Sequence, residues 1–316
     1  MPISKETKAT RFGYSDGLLE LLKENNQIMV LDADLSKSTT TNRIKEAYPD
    51  HFVNVGIAEQ NMLGIAAGLS LGGYVSYVST YGVFVAGRAF DQIRTTICYS
   101  KLNVKIGGAH GGISVGPDGA THQALEEISM MRAIPEMKVI VPCDVHQTKK
   151  ATIAAFRIPG PVYIRFGREP VPIITEENTP FEFGKAEVFR HGSDVSLFAC
   201  GVMVHEALVA AEELEKEGIQ AAVVNFHTIK PLDQEAVIRF ATETGAIVTA
   251  EEHQLFGGFG SAIAEVLVQH QPVPVEMVGI HDSFGESGSP DQLMNAYHLT
   301  SKDIYQKAKQ VLSRKR

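Results

Sequence analysis

The chain has 316 residues, of which 44% are hydrophobic and 21% charged, and its formal net charge is −8. This composition is typical of a soluble globular protein and excludes intrinsic disorder, collagen-like repeats and a coiled coil as the main content. The length predicts two domains. A negative net charge without a basic cluster argues against nucleic acid as a partner.

The cysteines and the uncharged segments limit the cellular setting. Cys98, Cys143 and Cys200 form no CxxC pair, which excludes a disulfide scaffold or a Cys-rich zinc site and suits a reducing compartment. The N-terminus has no apolar segment typical of a secretory signal, so we expect a cytoplasmic protein.

Residues 61–87 carry no charge and are long enough to cross a bilayer. Their six glycines and several hydroxyl side chains instead favour a buried helix followed by a buried strand, with no membrane contact.

Short apolar segments alternate with helical ones along the chain. In the first half, strands are predicted at 27–35, 74–79, 103–108, 137–142 and 161–167, helices at 61–71, 84–99 and 144–156 (capped by Asp144), and a polar loop at 36–42. In the second half, strands at 193–201, 219–226, 245–253 and 273–280 alternate with helices at 204–217, 234–242, after 260 and 301–315. Near-continuous apolar strands separated by helices predict an α/β fold, in which largely parallel sheets carry helices on both faces.

The alternation stops at 171–184, where three acids and two prolines show no helical period. We therefore predict a first domain over 1–175, a linker over 176–186 and a second domain over 187–316. In the second domain, GGFGSA at 257–262 lacks the full GxGxxG spacing of a dinucleotide site. Close packing of a helix on a strand explains these glycines.

Glu59 lies in the segment VGIAEQNM (55–62), at the start of the uncharged predicted helix. A helix N-terminus alone explains an acid at this place. The apolar residues that follow give a second explanation, because a desolvated carboxylate has a raised pKa and can share a proton with a ligand nitrogen. The residues by themselves leave both explanations open.

A glycine-rich segment follows the predicted strand 103–108 and contains His110, Asp118 and His122. Ligands bind at the C-terminal ends of strands in α/β sheets, and glycines let the backbone approach a ligand closely. The three side chains therefore predict a polar cluster for hydroxyl recognition and proton transfer. A metal site is the competing interpretation, but the three residues lack a strict ligand spacing, so we expect no metal on this chain.

Two further groups give weaker indications. Tyr81 and Phe84 lie at a predicted turn into a helix, where aromatic rings pack either in a core or against a heterocycle. Arg11, Arg168 and the hydroxyl-rich run 36–41 suit a phosphate, although each is also common on an ordinary surface.

Together these segments resemble the transketolase family over essentially the whole chain. The matching motifs stand in the family's order and spacing: VGIAEQNM (55–62), STYGVF (79–84), RAFDQIR (88–94) and GPDGATHQALEEISMMR (116–132), followed by IKPLD (229–233) and the EEH…GGFGSA segment (252–262). A full-length transketolase has three domains, and the first binds the diphosphate of thiamine diphosphate through Mg²⁺ and a GDG…N motif. This chain lacks that motif. The resemblance thus implies a pyrimidine-binding domain followed by a transketolase C-terminal domain, as in the C-terminal subunit of a split transketolase.

For the cofactor, the resemblance assigns the central role to Glu59. This carboxyl group would hydrogen-bond N1′ of the aminopyrimidine and favour the 4′-imino tautomer, whose nitrogen removes the C2 proton of the thiazolium. Tyr81 and Phe84 would hold the pyrimidine ring. Some relatives have a third aromatic residue where Gly87 falls here, so the pocket would be looser or completed in another way.

For the substrate, the resemblance implies two sets of contacts. Residues that would touch sugar hydroxyls near the reacting carbons, with the two histidines also catalytic, are His110, Asp118 and His122. Residues that would touch the sugar phosphate are Arg11, Ser38 and Arg168.

The implied activity is that of transketolase (EC 2.2.1.1) in the pentose phosphate pathway, which transfers a two-carbon ketol unit from a ketose phosphate to an aldose phosphate. In this family the cofactor lies between chains, so the chain would be inactive without an N-terminal subunit that holds the diphosphate and Mg²⁺ (or Ca²⁺). The expected assembly contains two small and two large subunits, with the small subunits paired. The alternatives are the β subunit of a 2-oxo acid dehydrogenase E1 component, the C-terminal half of a 1-deoxyxylulose-phosphate synthase, and a non-catalytic homologue.

Overall fold

The computed structural model describes residues 6–315, and the first half of this range contains eight strands and seven helices. In chain order these are β1 (Thr7–Ala9), α1 (Thr10–Leu22), β2 (Ile28–Asp32), α2 (Ser36–Thr39), α3 (Asn42–Ala47), β3 (Phe52–Asn54), α4 (Glu59–Leu71), β4 (Val75–Tyr81), α5 (Gly82–Arg88), β5 (Val104–Ala109), α6 (Glu127–Ala133), β6 (Lys138–Ile140), α7 (Val145–Arg157), β7 (Val162–Phe166) and β8 (Pro170–Pro172). Short 3₁₀ segments cover Pro49–His51 and Ile113–Asp118, and a π-helical segment covers Gln92–Cys98.

The second half repeats the alternation of strands and helices. Its elements are β9 (Glu187–Arg190), β10 (Val195–Ala199), α8 (Met203–Lys216), β11 (Ala221–Asn225), β12 (Thr228–Lys230), α9 (Gln234–Thr244), β13 (Ile247–Gln254), α10 (Phe259–His270), β14 (Val275–Ile280), α11 (Pro290–Ala296) and α12 (Ser301–Ser313).

The first sheet has seven strands in the order β12-β6-β7-β5-β4-β2-β3, and all neighbours are parallel except β12 and β6. Every residue of β4 and β5 is buried, as expected for central parallel strands covered on both faces. In the register of these two strands, Tyr81 lies opposite Ala109. The C-terminal ends of β2, β4, β5 and β7 therefore meet at one edge of the sheet.

The second sheet has five strands in the order β14-β13-β10-β11-β9, with only β9 antiparallel to its neighbour. The predicted fold class of two largely parallel α/β sheets is thus confirmed. One strand crosses between the two halves, because β12 leaves the second half and pairs with β6 of the first sheet. The domain limits 1–175 and 187–316 stay a prediction, and this strand shows that the two parts share a sheet.

Most predicted elements are confirmed, including the cap of α7, where Gln147 N donates to Asp144 Oδ1 at 2.8 Å. Two predictions are wrong. The predicted helix 84–99 is two segments, because α5 ends at Arg88, next to the weak helix former Gly87, and a π-helical segment follows. The predicted loop 36–42 contains α2 and the start of α3.

The uncharged segment 61–87 contains most of α4, all of β4 and most of α5. The strand β4 is buried as predicted, but α4 buries only one face and its last residue, Leu71, is 79% exposed. Within residues 6–315, no helix is long and apolar enough to cross a membrane. The three cysteines are buried free thiols.

Candidate active site

Glu59 is the first residue of α4, and its side chain is only 4% exposed. Thr80 Oγ1 and Arg88 Nη1 both donate hydrogen bonds to Glu59 Oε1, at 3.4 and 3.0 Å. Among the residues that the structure describes, no donor is bonded to Oε2. A buried carboxylate with one oxygen bonded and one free can accept a hydrogen bond from a ligand, or share a proton with it.

A wall of aromatic and imidazole rings lies beside this carboxylate. Tyr81 ends β4, Phe84 lies in the first turn of α5, and their ring centroids are 5.4 Å apart. The His110 ring stacks on Tyr81 at 4.0 Å, and the His122 ring lies edge-on to both aromatic rings, at 5.7 and 5.3 Å. The Arg88 guanidinium lies 3.8 Å from the centre of the Phe84 ring, which connects the wall to Glu59. The five residues form a continuous surface against which a flat heterocycle can pack.

His110 is held as a neutral imidazole. Its backbone has a φ of +58° at the end of β5, and the residue is 2% exposed. Burial, followed by the charges of Arg11 and Arg168, lowers the pKa of His110 to about 3. Its Nδ1 is buried and has no hydrogen-bond partner in the described part of the chain. A neutral ring with an unsatisfied nitrogen suits hydrogen bonding to a hydroxyl group.

Two arginines lie near His110. Arg11 Nη1 donates to the backbone oxygen of Ser38 at 3.1 Å, while Arg168 forms ion pairs with Asp118 at 3.0 Å and Glu169 at 3.2 Å. Burial and the positive charge of Arg168 lower the pKa of Arg11. The Arg11 Nε is buried and finds no acceptor within residues 6–315. Two neighbouring guanidinium groups, one with a spare donor, are well suited to an anion.

The structure therefore brings the predicted site residues together at the C-terminal edge of the first sheet. These are Arg11, Ser38, Glu59, Tyr81, Phe84, His110, Asp118, His122 and Arg168. Their individual roles stay predictions. No group of three or more His, Cys, Asp or Glu side chains in residues 6–315 is arranged to hold a metal ion.

Sequence reasoning missed Arg88, which contacts both Glu59 and Phe84. The available signal is its spacing, because residues i and i+4 of a helix lie on one face and Arg88 follows Phe84 by four.

It also missed Asp32, the last residue of β2. The buried Asp32 carboxylate accepts hydrogen bonds from Leu35 N (2.6 Å), Thr39 Oγ1 (2.8 Å) and Thr41 Oγ1 (2.9 Å). Burial raises the pKa of Asp32, and the hydrogen bonds oppose that shift. Asp32 thereby fixes the segment that carries Ser38. The sequence signal for such a residue is an acid at the end of a predicted strand, followed by a hydroxyl-rich run.

Comparisons with known proteins agree along the whole chain. Residues 6–173 match the family "Transketolase, pyrimidine binding domain", and residues 184–304 match "Transketolase, C-terminal domain". The 6-deoxy-6-sulfo-D-fructose transketolase subunit SqwH of Clostridium sp. (strain MSTE9) is 44% identical over 302 residues, which cover 96% of this chain and 94% of that protein. A subunit of the apulose-4-phosphate transketolase of Phocaeicola vulgatus is 39% identical over 298 residues, covering 94% and 95%. A solved structure described as "Split gene transketolase, inactive beta4 tetramer" is 49% identical, with a TM-score of 0.92 and coverage of 98% and 99%.

The two sheets thus define a pyrimidine-binding domain followed by a transketolase C-terminal domain. The chain belongs to the transketolase family, and it aligns along its length with subunits of split transketolases. The predicted family is confirmed.

Proposed function

We propose that the chain is the small subunit of a split, thiamine-diphosphate-dependent transketolase. With a large subunit, it would transfer a two-carbon ketol unit from a ketose phosphate to an aldose phosphate, the reaction of EC 2.2.1.1. The observation that carries this proposal is Glu59, a buried carboxylate with a free oxygen beside an aromatic wall. A carboxyl group that is only 4% exposed and keeps one oxygen open to a ligand favours a catalytic subunit over a non-catalytic homologue.

The residues of the wall fit the aminopyrimidine part of the cofactor. Tyr81 and Phe84 offer ring surface, and the space around Gly87 is open, because outside its own helix no heavy atom of the described residues lies within 4 Å of a Cβ built there. Within residues 6–315 no side chain takes the place of the missing third aromatic residue, and Arg88 covers part of the Phe84 ring instead. When bound, thiamine diphosphate supplies the nucleophilic carbon that attacks the ketose carbonyl.

In this proposal Glu59 shares a proton with the pyrimidine nitrogen. The buried position disfavours an unpaired negative charge, and Thr80 and Arg88 now stabilise that charge. Arg88 is half exposed and can leave Glu59 when a ligand takes its place. Glu59 would then hold its proton at the ligand nitrogen.

The substrate would lie along the line from His110 to Arg168. The neutral His110 and the partly exposed His122 would bond sugar hydroxyls and move protons near the reacting carbons, and Asp118 would accept from a further hydroxyl. Arg11 and Arg168, with Ser38, would bind the terminal phosphate through paired donors.

The partner is proposed to be an N-terminal transketolase subunit that holds the diphosphate with Mg²⁺ or Ca²⁺. The described residues of this chain offer no such metal site, which supports that division. A relative that is 49% identical is described as an inactive β4 tetramer, which supports inactivity of the small subunit alone. The proposed assembly is a heterotetramer of two small and two large subunits, acting in the cytoplasm in the pentose phosphate pathway.

The test is reconstitution. The chain alone and the chain with the large subunit are assayed with xylulose 5-phosphate and ribose 5-phosphate, at saturating thiamine diphosphate and Mg²⁺. We expect turnover only in the mixture. Turnover by the chain alone would contradict the split enzyme, and turnover with pyruvate and a lipoyl acceptor but not with sugar phosphates would favour the dehydrogenase. Because one relative is named for 6-deoxy-6-sulfo-D-fructose, that sugar is included as a competing donor.

A further inference from the structure

The loop between His110 and His122 rests on the second domain. A Cβ built on Gly111 would lie 2.5 Å from Arg165 Nε, and one built on Gly112 would overlap the carboxylate of Glu252. Gly112 also has a φ of +94° and a ψ of 178°, a conformation that side-chain-bearing residues rarely adopt. Both glycines are therefore required by buried, charged side chains packed directly beneath the loop.

Glu252 reaches the loop through a short hydrogen bond. Ser114 N donates to Glu252 Oε1 at 2.6 Å, and the Glu252 side chain, on β13, is 3% exposed. Burial raises the pKa of Glu252, while Arg165 and the bond from Ser114 oppose that shift. Burying the Glu252 carboxylate costs free energy, and a hydrogen bond from the backbone amide of Ser114 in the first domain offsets part of that cost.

Arg165 holds Glu252 by a hydrogen bond to the Glu252 backbone and makes none to the Glu252 carboxylate. Arg165 Nε donates to Glu127 Oε1 at 2.5 Å, and Nη2 donates to the backbone oxygens of Glu252 at 2.8 Å and Ala124 at 3.3 Å. The guanidinium therefore has its own carboxylate partner, Glu127. This arrangement leaves the Glu252 carboxylate directed at the loop.

A second contact braces the other end of the loop. Gln123 Nε2 donates to Glu286 O of the second domain at 2.9 Å and to Ile113 O of the loop at 3.1 Å. Next to it, Gln254 N of β13 donates to Leu125 O at 2.8 Å. The second domain thus holds the loop before and after Asp118.

We propose that Glu252 is a positioning residue, which holds the backbone at Ser114 so that His110 and Asp118 keep their places in the site. The effect on catalysis rests on the proposed function, whereas the positioning itself does not. The second domain then acts as the support of the substrate loop. Glu252 needs no contact with substrate or cofactor for this role.

The first test measures the loop directly by hydrogen exchange in the isolated chain. In Glu252→Ala we expect amide exchange in residues 111–119 to become about tenfold faster, because one hydrogen bond worth about 1.4 kcal/mol is lost. Glu252→Gln keeps an acceptor oxygen and should restore most of the protection. The matched control is Glu251→Gln, the adjacent buried acid, whose partners Phe259 N and Gly260 N lie in α10. In this control the faster exchange should appear at 257–262 and not in the loop.

The second test is kinetic, in the reconstituted complex. Glu252→Ala should lower kcat/KM for the ketose phosphate about tenfold or more and weaken thiamine diphosphate binding far less, because Glu59, Tyr81 and Phe84 lie on other elements and only the two histidines of the wall flank the loop. General damage to the fold would weaken both to a similar extent. Unchanged loop exchange in Glu252→Ala would overturn the proposal, and so would an equal loss of cofactor affinity. If Glu252→Ala does not fold, Glu252→Asp replaces it, because the shorter side chain withdraws the acceptor from Ser114 N. Loop exchange in Glu252→Asp equal to that of Glu251→Gln would then overturn the proposal. A complex without ketol transfer would refute the proposed function, while the exchange result would still decide on Glu252.

Discussion

Each domain has a buried acid at the start of a helix. In the first domain, Glu59 is the first residue of α4 and keeps one carboxylate oxygen free. In the second domain, Glu251 on β13 contacts the start of α10, and both of its oxygens accept hydrogen bonds. Phe259 N donates to Glu251 Oε2 at 2.6 Å, and Gly260 N donates to Oε1 at 2.7 Å. The N-terminus of a helix after a glycine-rich turn is a ready anion site, but here the carboxyl group of Glu251 occupies it. The two helix starts therefore differ: Glu59 keeps one oxygen without a donor among the described residues, whereas both oxygens of Glu251 are bonded to the first residues of α10.

The neighbouring acid extends this contrast. Glu251 binds its own helix, while Glu252, one residue later on β13, binds the loop of the first domain at Ser114. In the first domain, His110 Nδ1 at the end of β5 has no partner among the described residues, whereas Asp32 at the end of β2 is fully bonded. An unsatisfied nitrogen beside the aromatic wall suits a bond to a ligand, while bonded acids such as Asp32 and Glu251 hold the protein's own segments in place.

The largest effect should come from Gly112→Ala. The new Cβ would overlap the Glu252 carboxylate and force an unfavourable φ, so we expect the free energy of unfolding to fall by about 3–5 kcal/mol. The matched control is Gly218→Ala, which has a φ of +79° but open space around its Cβ, and it should lose about 1–2 kcal/mol. Urea unfolding of the isolated chain measures both. Equal losses would mean that strain alone, and not contact with Glu252, requires glycine at 112.

The sequence predicted the parts of this contrast that depend on local pattern. Most strands and helices followed from apolar runs, and the loop with His110 and Asp118 was placed correctly at the end of a strand. The strands β1, β3, β8, β9 and β12 and the helices α1, α2, α3, α6 and α11 were not predicted. The contact between Glu252 and Ser114 joins residues 138 positions apart, and periodicity carries no information about such a pairing. For the same reason the crossing of β12 into the first sheet was not predicted, since a three-residue strand has too short a pattern.

Next in size is Glu59→Gln, which keeps the shape of the side chain and removes the shared proton. In the reconstituted complex we expect kcat to fall by at least about 100-fold, within the usual range for acid–base groups. The melting temperature should change little, because a neutral amide in a buried site costs less than an unpaired charge. Arg88→Met should weaken cofactor binding more than it lowers kcat at saturating cofactor, since Arg88 covers part of the Phe84 ring and bonds Glu59 only until a ligand takes its place. A near-normal kcat for Glu59→Gln would reduce Glu59 to a helix-start acid.

A smaller loss is expected for Arg168→Ala. A contact with the terminal phosphate lies far from the reacting carbons, so its removal weakens ground state and transition state alike and raises KM with little change in kcat. One charged hydrogen bond is worth about 1.5–3 kcal/mol, or roughly 10- to 100-fold in KM. Hydroxypyruvate, a donor without phosphate, should be affected far less. Equal losses with both donors would assign Arg168 to holding Asp118, its ion-pair partner at 3.0 Å.

The smallest expected effects are changes in the free energy of unfolding with pH, which come from one buried ionisable group in each domain. Burial raises the pKa of Glu251 from 4.5 to about 8, against the two backbone bonds and the charges of Arg165 and Arg132. Burial lowers the pKa of Lys105 in the first sheet from 10.5 to about 7, and Lys138 adds to this shift; Lys105 Nζ donates to Ile158 O and Gly160 O.

These two shifts give slopes of opposite sign in stability against pH. Between pH 4.5 and 8 the folded chain binds more protons at Glu251 than the unfolded chain, so this group's stabilisation is lost as the pH rises. Between pH 7 and 10.5 the folded chain binds fewer protons at Lys105, so stability from this group is gained as the pH rises and lost as it falls through 7. Each slope has a limit of about 1.4 kcal/mol per pH unit. Urea unfolding of the wild type against Glu251→Gln at pH 5–7, and against Lys105→Met at pH 8–10, isolates each group, since all other titrations cancel in the difference. If the free energies of unfolding of wild type and Glu251→Gln run parallel against pH, the bonds from Phe259 N and Gly260 N keep Glu251 ionised. The second domain would then hold a buried carboxylate at Glu251, as the first domain does at Glu59.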